Sequence, residues 1–310
     1  MRYLRAAWSK FTLWLREVRP AFFTCTIVPV ILGTTVAWYQ QEVFHLRYFL
    51  LTLVGTLFLH AGANMIDDYF DYTSGADTHP FYEEVDSPFF GGSGVLVEGA
   101  LDPRSVYWAA LCCFGIGGVI GLLLAWLIHW IVAVLGLIGF IFGYYHVTIF
   151  SKKGLGEFSL FLNFGLLITF GSYYVQTHHV SLAPIVASFP VGLLMACILL
   201  INGVPDKVAD ESVGKKTIPV RVGRKQAVNI YSTLVIGMYL FIGLAIVVDL
   251  MPFPTVLSFL LLPLAGKSIL VAQHHHDQPQ KFLFANLGTY LLHLFTGLAL
   301  TLGYGLASIL

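Results

Sequence analysis

LLTLVGTLFLHAGANMIDDYFDY, Leu50–Tyr72, decides how this chain folds: an apolar run long enough to cross a bilayer passes without a break into Asn64, Asp67, Asp68 and Asp71. The same device recurs in NGVPDKVADESVGKKT, Asn202–Thr217, where Asn202, Asp206 and Asp210 follow a second apolar run. Residues three and four apart share one face of a helix, so Asn64, Asp68 and Asp71 form one stripe of oxygen ligands and Asn202, Asp206 and Asp210 another. Asp67 points about 100° away from Asp68 and ranks lower. A carboxylate in hydrocarbon costs roughly 2.5–3.5 kcal/mol at the centre of a span and less near the interface, so aspartates grouped this way need a counter-charge. Two facing stripes make a cage for hard divalent cations carrying phosphate.

The rest of the 310 residues fits that reading. The chain is 57% hydrophobic and 11% charged, with a mean hydropathy of +0.78, which excludes a soluble globular domain. Stretches near the ~20 residues needed to cross a bilayer can be drawn at about 21–39, 48–66, 105–127, 130–148, 158–177, 184–204, 227–248, 254–272 and 283–307, which predicts an all-α bundle of nine transmembrane helices. With the N-terminus cytoplasmic, that topology leaves all but Arg47 of the 17 lysines and arginines on the cytoplasmic side. Only Glu42 and Asp249 of the acidic residues fall outside. Zero formal net charge therefore conceals a sided molecule, and the chemistry is expected at the cytoplasmic mouth of a cell inner membrane.

Residues 1–19 have no continuous apolar core and no small-residue cleavage site, so they do not read as a signal peptide. Leu4, Trp8, Phe11, Leu15 and Val18 instead recur at helical spacing among basic residues, which predicts a helix lying in the membrane interface. Two cytoplasmic loops, 69–104 and 206–226, follow the acidic stripes directly and are expected to carry the site. The whole, 1–310, reads as one transmembrane domain. Cys25, Cys112, Cys113 and Cys197 lie in apolar spans without disulfide or zinc spacing.

Two carboxylate clusters holding magnesium are a general device for gripping a diphosphate and neutralising it as it leaves. A diphosphate suited to a membrane-embedded cavity has an isoprenoid tail, which can lie in lipid. At these residues the chain resembles the UbiA superfamily of intramembrane aromatic prenyltransferases. NMIDDYFDYTSGAD, Asn64–Asp77, is similar to that family's first aspartate-rich motif. RPAFFTCTIVPVILGT (Arg19–Thr34), GGSGVLVEGALDP from Gly91, GLGE (Gly154–Glu157) and the Asn202–Thr217 motif stand in the family's order. Within the superfamily, the DYFD form at Asp68–Asp71 with the GGSGVLVEG and GLGE segments looks most like 1,4-dihydroxy-2-naphthoate prenyltransferases of menaquinone synthesis.

The resemblance implies a helical bundle around a central cavity open to lipid, with a prenyl diphosphate and an aromatic acid as substrates, Mg2+ as cofactor and no nucleic-acid partner. By their places in the motifs, Asn64, Asp68, Asp71, Asn202, Asp206 and Asp210 would organise magnesium and diphosphate, with Asp68, Asp71, Asp206 and Asp210 as metal ligands. Arg19, Lys152, Lys153 and Lys215 are the basic candidates for the phosphates, although positive-inside placement alone also accounts for Lys152 and Lys153. Tyr144 or Tyr145 would line the cavity and face a cationic intermediate with its ring.

Two departures from the family pattern stand out. The Thr73–Pro103 loop offers Glu83, Glu84 and Asp86 where basic residues are usual, and HVTIFSKK precedes GLGE in place of a proline-containing run. His60, one turn before Asn64, is read as an interhelical hydrogen-bond partner or as an acceptor contact. His274–His276 with Asp277 reads as a solvated loop rather than a metal site. Other aromatic acceptors, such as 4-hydroxybenzoate or homogentisate, are the nearest alternative function. A cation-coupled transporter is the rival from another class, but its coupling acids belong near the midplane in broken helices.

Overall fold

The computed structural model describes residues 2–83 and 91–310, with side chains described from Lys10 onward except that of Glu83. Glu84 and Asp86 lie outside the described residues, as do the side chains of Leu4, Trp8 and Glu83. The chain forms α1 (Arg2–Val18), α2 (Thr24–Gln41), α3 (Leu46–Ser74), α4 (Pro103–Leu127) and α5 (Ile131–Tyr144). It continues with α6 (Gly156–Leu160), α7 (Ile168–Thr177), α8 (Leu182–Ser212), α9 (Ile218–Val222), α10 (Arg224–Val247), α11 (Leu262–His275) and α12 (Pro279–Ala307). A π-helical segment, Phe161–Leu167, joins α6 to α7. There is no strand among the described residues.

Among the described residues, eight helices are long and apolar enough to cross a membrane. The fourth expected span, 130–148, is the one missing from these and is interrupted: α5 has 14 residues, or about 21 Å at the α-helical rise. The chain then passes through Tyr145 into a π turn, His146–Ser151. Trp108, Val119, Leu122 and Trp126 on α4 are 65%, 67%, 64% and 81% exposed, the reverse of a soluble helix and the pattern of one that faces lipid.

The two site-bearing helices outrun the membrane. α3 has 29 residues and α8 has 31, so each is about 45 Å long against ~30 Å of hydrocarbon. Helix therefore continues where loop was expected: α3 runs on to Ser74 and is closed by Gly75 at φ 89°, and α8 runs on to Ser212. The expected loops 69–104 and 206–226 are correspondingly shorter. The carboxylates sit on rigid helical turns.

α8 runs through the centre of the bundle. Leu194, Leu200 and Ile201 are enclosed by Val28 and Leu32 of α2, Met238 and Ile242 of α10, and Leu292 and Leu300 of α12. Pro205 sits inside α8 and has no N–H, which frees the Ile201 carbonyl four residues back. Asn286 of α12 answers that break, donating from Nδ2 to the Ile201 carbonyl (3.4 Å) and to Asn202 Oδ1 (2.8 Å). A second core joins Met65 and Ile66 of α3 to Ala110 and Phe114 of α4 and takes in Trp14 and Val18 of α1. α1 leaves Phe11 and Leu15 exposed.

Candidate active site

The acidic ends of α3 and α8 face one polar cavity of about 160 Å³. Among the described residues, six carboxylates line it, Asp67, Asp68 and Asp71 from α3, Asp77 just beyond, and Asp206 and Asp210 from α8, against two cations, Arg19 and Lys215. Asn202 lines it as well. Lys215 joins the two walls, with its Nζ 2.9 Å from Asp71 Oδ2 and 3.0 Å from Asp210 Oδ1. On the opposite side Arg19, held in the left-handed region at φ 55° between α1 and α2, brings a guanidinium nitrogen 3.8 Å from Asp68 Oδ1.

The Gly91–Gly99 segment closes the mouth. Ser93 N donates to Asp68 Oδ2 (2.8 Å), and its hydroxyl donates to Glu17 Oε2 (2.7 Å). Arg16 holds the same segment through the Ser93 carbonyl (3.1 Å) and Glu98 (2.9 Å), which ties α1 to the mouth. Gly92, at φ 67°, has no room for a side chain, because a Cβ there would meet Asp77 Oδ2 at 2.6 Å and Asp68 Oδ1 at 3.1 Å. Tyr82 donates its hydroxyl to Asp206 Oδ1 (2.9 Å).

The Lys215 loop is anchored from behind. Lys216 N donates to the Ser151 carbonyl (2.8 Å), and Ile218 N donates to Oε1 of the buried Glu157 (2.8 Å). The GLGE segment and the π turn thus hold the loop that carries Lys215 in place.

Crowded carboxylates resist ionisation. Burial, then the charges of Asp71 and Asp68, push Asp77 up to about 8. Burial, then Asp68, pushes Glu17 to about 7. Burial alone would lower the Lys215 ammonium, but Asp71 and Asp210 outweigh it and hold the group above its ordinary value. Asp67 Oδ1 and Asp71 Oδ1 are enclosed without a hydrogen-bond partner. An all-oxygen, negatively charged donor set with unused lone pairs fits a hard divalent cation such as Mg2+. The carboxylates do not form a closed ligand cluster among the described residues.

A second chamber of about 140 Å³ lies below, sharing the walls Arg19, Asp67, His146, Leu199 and Asn202 with the first. Asn64 lines this lower chamber and donates to the Val18 carbonyl (2.9 Å). His60 lines it too and bonds Thr26 of α2 through Nδ1 (2.7 Å), so it is both an interhelical link and a cavity residue. A small chamber around Thr56, His60 and Asn163 leads on to an apolar one of about 100 Å³ between α3, α4, α5 and α7.

Four expected site residues lie elsewhere. Lys152 and Lys153 are exposed and do not line the cavity. Tyr144 packs into an aromatic cluster with Phe114 and Phe140, its hydroxyl 3.3 Å from that of Tyr107, and Tyr145 is 38% exposed. Asp67, ranked lower on helical angle, lines both polar chambers. Asp77, Tyr82, Ser93, Glu157 and His146 were not singled out. Of these, Asp77, Ser93 and Glu157 carried a signal in lying within the family-like motifs, and His146 in opening the departing HVTIFSKK run, whereas Tyr82 carried none.

The family model of the UbiA prenyltransferase family matches residues 26–305. The chain is 27% identical over 295 residues to a 1,4-dihydroxy-2-naphthoate octaprenyltransferase of Bacillus subtilis, covering 94% of this chain and 91% of the relative. It is 27% identical over 302 residues to a 2-carboxy-1,4-naphthoquinone phytyltransferase of Synechocystis, covering 96% and 94%. A solved structure of a UbiA homolog from Archaeoglobus fulgidus bound to DMAPP and Mg2+ shares the fold, with a TM-score of 0.61 at 17% identity over 93% of this chain and 98% of that one. With the family's pattern running through nearly every helix around the acidic cavity, this chain belongs to the UbiA prenyltransferase family and is a multi-pass membrane prenyltransferase.

Proposed function

We propose that the protein transfers a polyprenyl group from its diphosphate to 1,4-dihydroxy-2-naphthoate, in a Mg2+-dependent step of menaquinone biosynthesis at the cytoplasmic face of the inner membrane. The observation that carries this reading is the union of opposite chemistries in one path. A six-carboxylate chamber with two cations leads, wall to wall, into chambers that become apolar. A diphosphate head and a prenyl tail are matched end to end. When bound, Mg2+ supplies neutralisation of the departing diphosphate, and Asp68, Asp71, Asp206 and Asp210 are the residues that would hold it. Arg19 and Lys215 offer charged donors to the phosphate oxygens, while Ser93 N–H and the Tyr82 hydroxyl orient Asp68 and Asp206. The names of the Bacillus and Synechocystis relatives favour a naphthoate-type acceptor.

Nine crossings are supported by parity. Lys215, beyond the end of α8, reaches Asp71 near the end of α3, so those two ends share one side of the membrane. Between them lie α4, α5, the α6–α7 unit and α8. An even number of crossings requires α5 to cross despite its length. The cation asymmetry makes the shared side cytoplasmic.

Purified protein supplied with Mg2+, a prenyl diphosphate and a panel of aromatic acids should yield a prenylated, decarboxylated naphthoate product by mass, and excess chelator should abolish it. Product from another acid alone would reassign the acceptor, and undiminished turnover in chelator would overturn the metal-dependent mechanism.

A further inference from the structure

One imidazole stands where the two polar chambers meet. His146 is buried, at 7% exposure, and lines both of them. Its Nδ1 lies 2.9 Å from Ser159 Oγ, and that hydroxyl lies 2.7 Å from the Gly156 carbonyl oxygen. A carbonyl can only accept, so the single hydroxyl proton of Ser159 goes to Gly156 and Ser159 is left to accept from His146. Nδ1 therefore carries the ring proton, and the neutral ring keeps its lone pair on Nε2. Among the described residues Nε2 has no hydrogen-bond partner and is not an enclosed orphan atom, which leaves it open to the cavity. Arg19, Asp67 and Lys215 share chamber walls with the ring, and His60 lines the lower chamber. Glu157, on α6, is committed to Ile218 N.

We infer that His146 is the group that takes the hydroxyl proton of the aromatic acceptor, an inference that rests on the aromatic prenyl transfer proposed above. As the prenyl carbon–oxygen bond breaks, the diphosphate leaves with the bonding pair. The acceptor O–H proton passes to Nε2, its electron pair moves through the ring, and the carboxyl-bearing carbon bonds to the prenyl carbon. Loss of carbon dioxide then returns a pair to the ring, and the ring oxygen recovers the proton from His146. Nothing is oxidised or reduced, and the enzyme ends as it began. His146 also opens the HVTIFSKK run that departs from the family pattern, so this base belongs to this chain's own sequence.

The test compares wild type with His146→Gln, His146→Ala and Ser159→Ala in intact protein, by kcat and KM with prenyl diphosphate and 1,4-dihydroxy-2-naphthoate. His146→Gln should lower kcat by about 10²–10³-fold while KM for the prenyl diphosphate stays within about twofold. Ser159→Ala, which frees the tautomer, should lose about tenfold. Added imidazole should restore His146→Ala in proportion to its neutral form, a response that a packing role would not give. Wild-type transfer with His146→Gln within about threefold of it, or His146→Ala that imidazole fails to rescue, overturns the assignment. A wild type that prenylates no aromatic acid overturns the functional reading itself, and the role of His146 with it.

Discussion

Lys215 is the residue on which the two acidic walls meet, and its replacement separates what holds the site from what binds there. In Lys215→Met the partly buried Asp71 and the buried Asp210 lose their ammonium, and removing one partner of a buried pair costs about 3–5 kcal/mol. The melting temperature in chelator should fall well below wild type, and added Mg2+ should recover most of the loss by supplying the missing positive charge. Equal melts in chelator would show that Lys215 carries no such load. Asp68, Asp71, Asp206 and Asp210 were legible as residues of one cavity because they repeat at helical spacing. Asp77 was not, because Gly75 turns the chain out of the helix before Asp77 returns to the cavity. Asp67 lines both chambers despite its different helical angle, since the chambers wrap more than one face of α3. Charge placement told which side Lys152 and Lys153 occupy but not which way they point. The ring of Tyr144 found enough aromatic neighbours to pack away from the cavity.

At the scale of elements, the helices were legible in kind, and eight of the nine expected spans in place, but not in extent. Hydropathy marks where apolar surface stops, whereas helix stops where a cap such as Gly75 stops it, and α3 and α8 use that difference to carry carboxylates beyond the hydrocarbon. The Gly91–Gly99 segment was legible as a motif, but its pairing with Glu17, Asp68 and Asp77 depends on contacts distant in sequence. Gly92→Ala tests that closure. It places a Cβ against Asp77 and Asp68 and strains a left-handed residue by roughly 1–2 kcal/mol, so Ser93 N should draw back from Asp68. Activity should fall about 10–100-fold with little change in the melting temperature, because the substitution touches a surface segment rather than the core. Wild-type turnover in Gly92→Ala would show that the close approach is dispensable.

For the whole molecule, the proposed nine crossings turn on one short helix. α5 covers about 21 Å as an α-helix, yet the Ser151 carbonyl beyond it bonds Lys216 N, next to the lysine that joins Asp71 to Asp210. The π turn His146–Ser151 therefore reaches the same mouth as the ends of α3 and α8. Apolar length alone gave 130–148 as an ordinary span and could not show the break at Tyr145, which costs helical length but delivers His146 and Ser151 to the cavity. The topology this demands can be read by labelling. In a background with Cys112 and Cys113 replaced by alanine, cysteine at Lys152 and at Glu211, both exposed, should react with a membrane-impermeant thiol reagent only from the cytoplasmic side, and cysteine at Arg47 only from the other. Labelling of 152 and 211 from opposite sides would break the parity on which nine crossings rest. Labelling of both from the outer side would keep the parity and invert the molecule, moving its carboxylate mouth away from the cytoplasm.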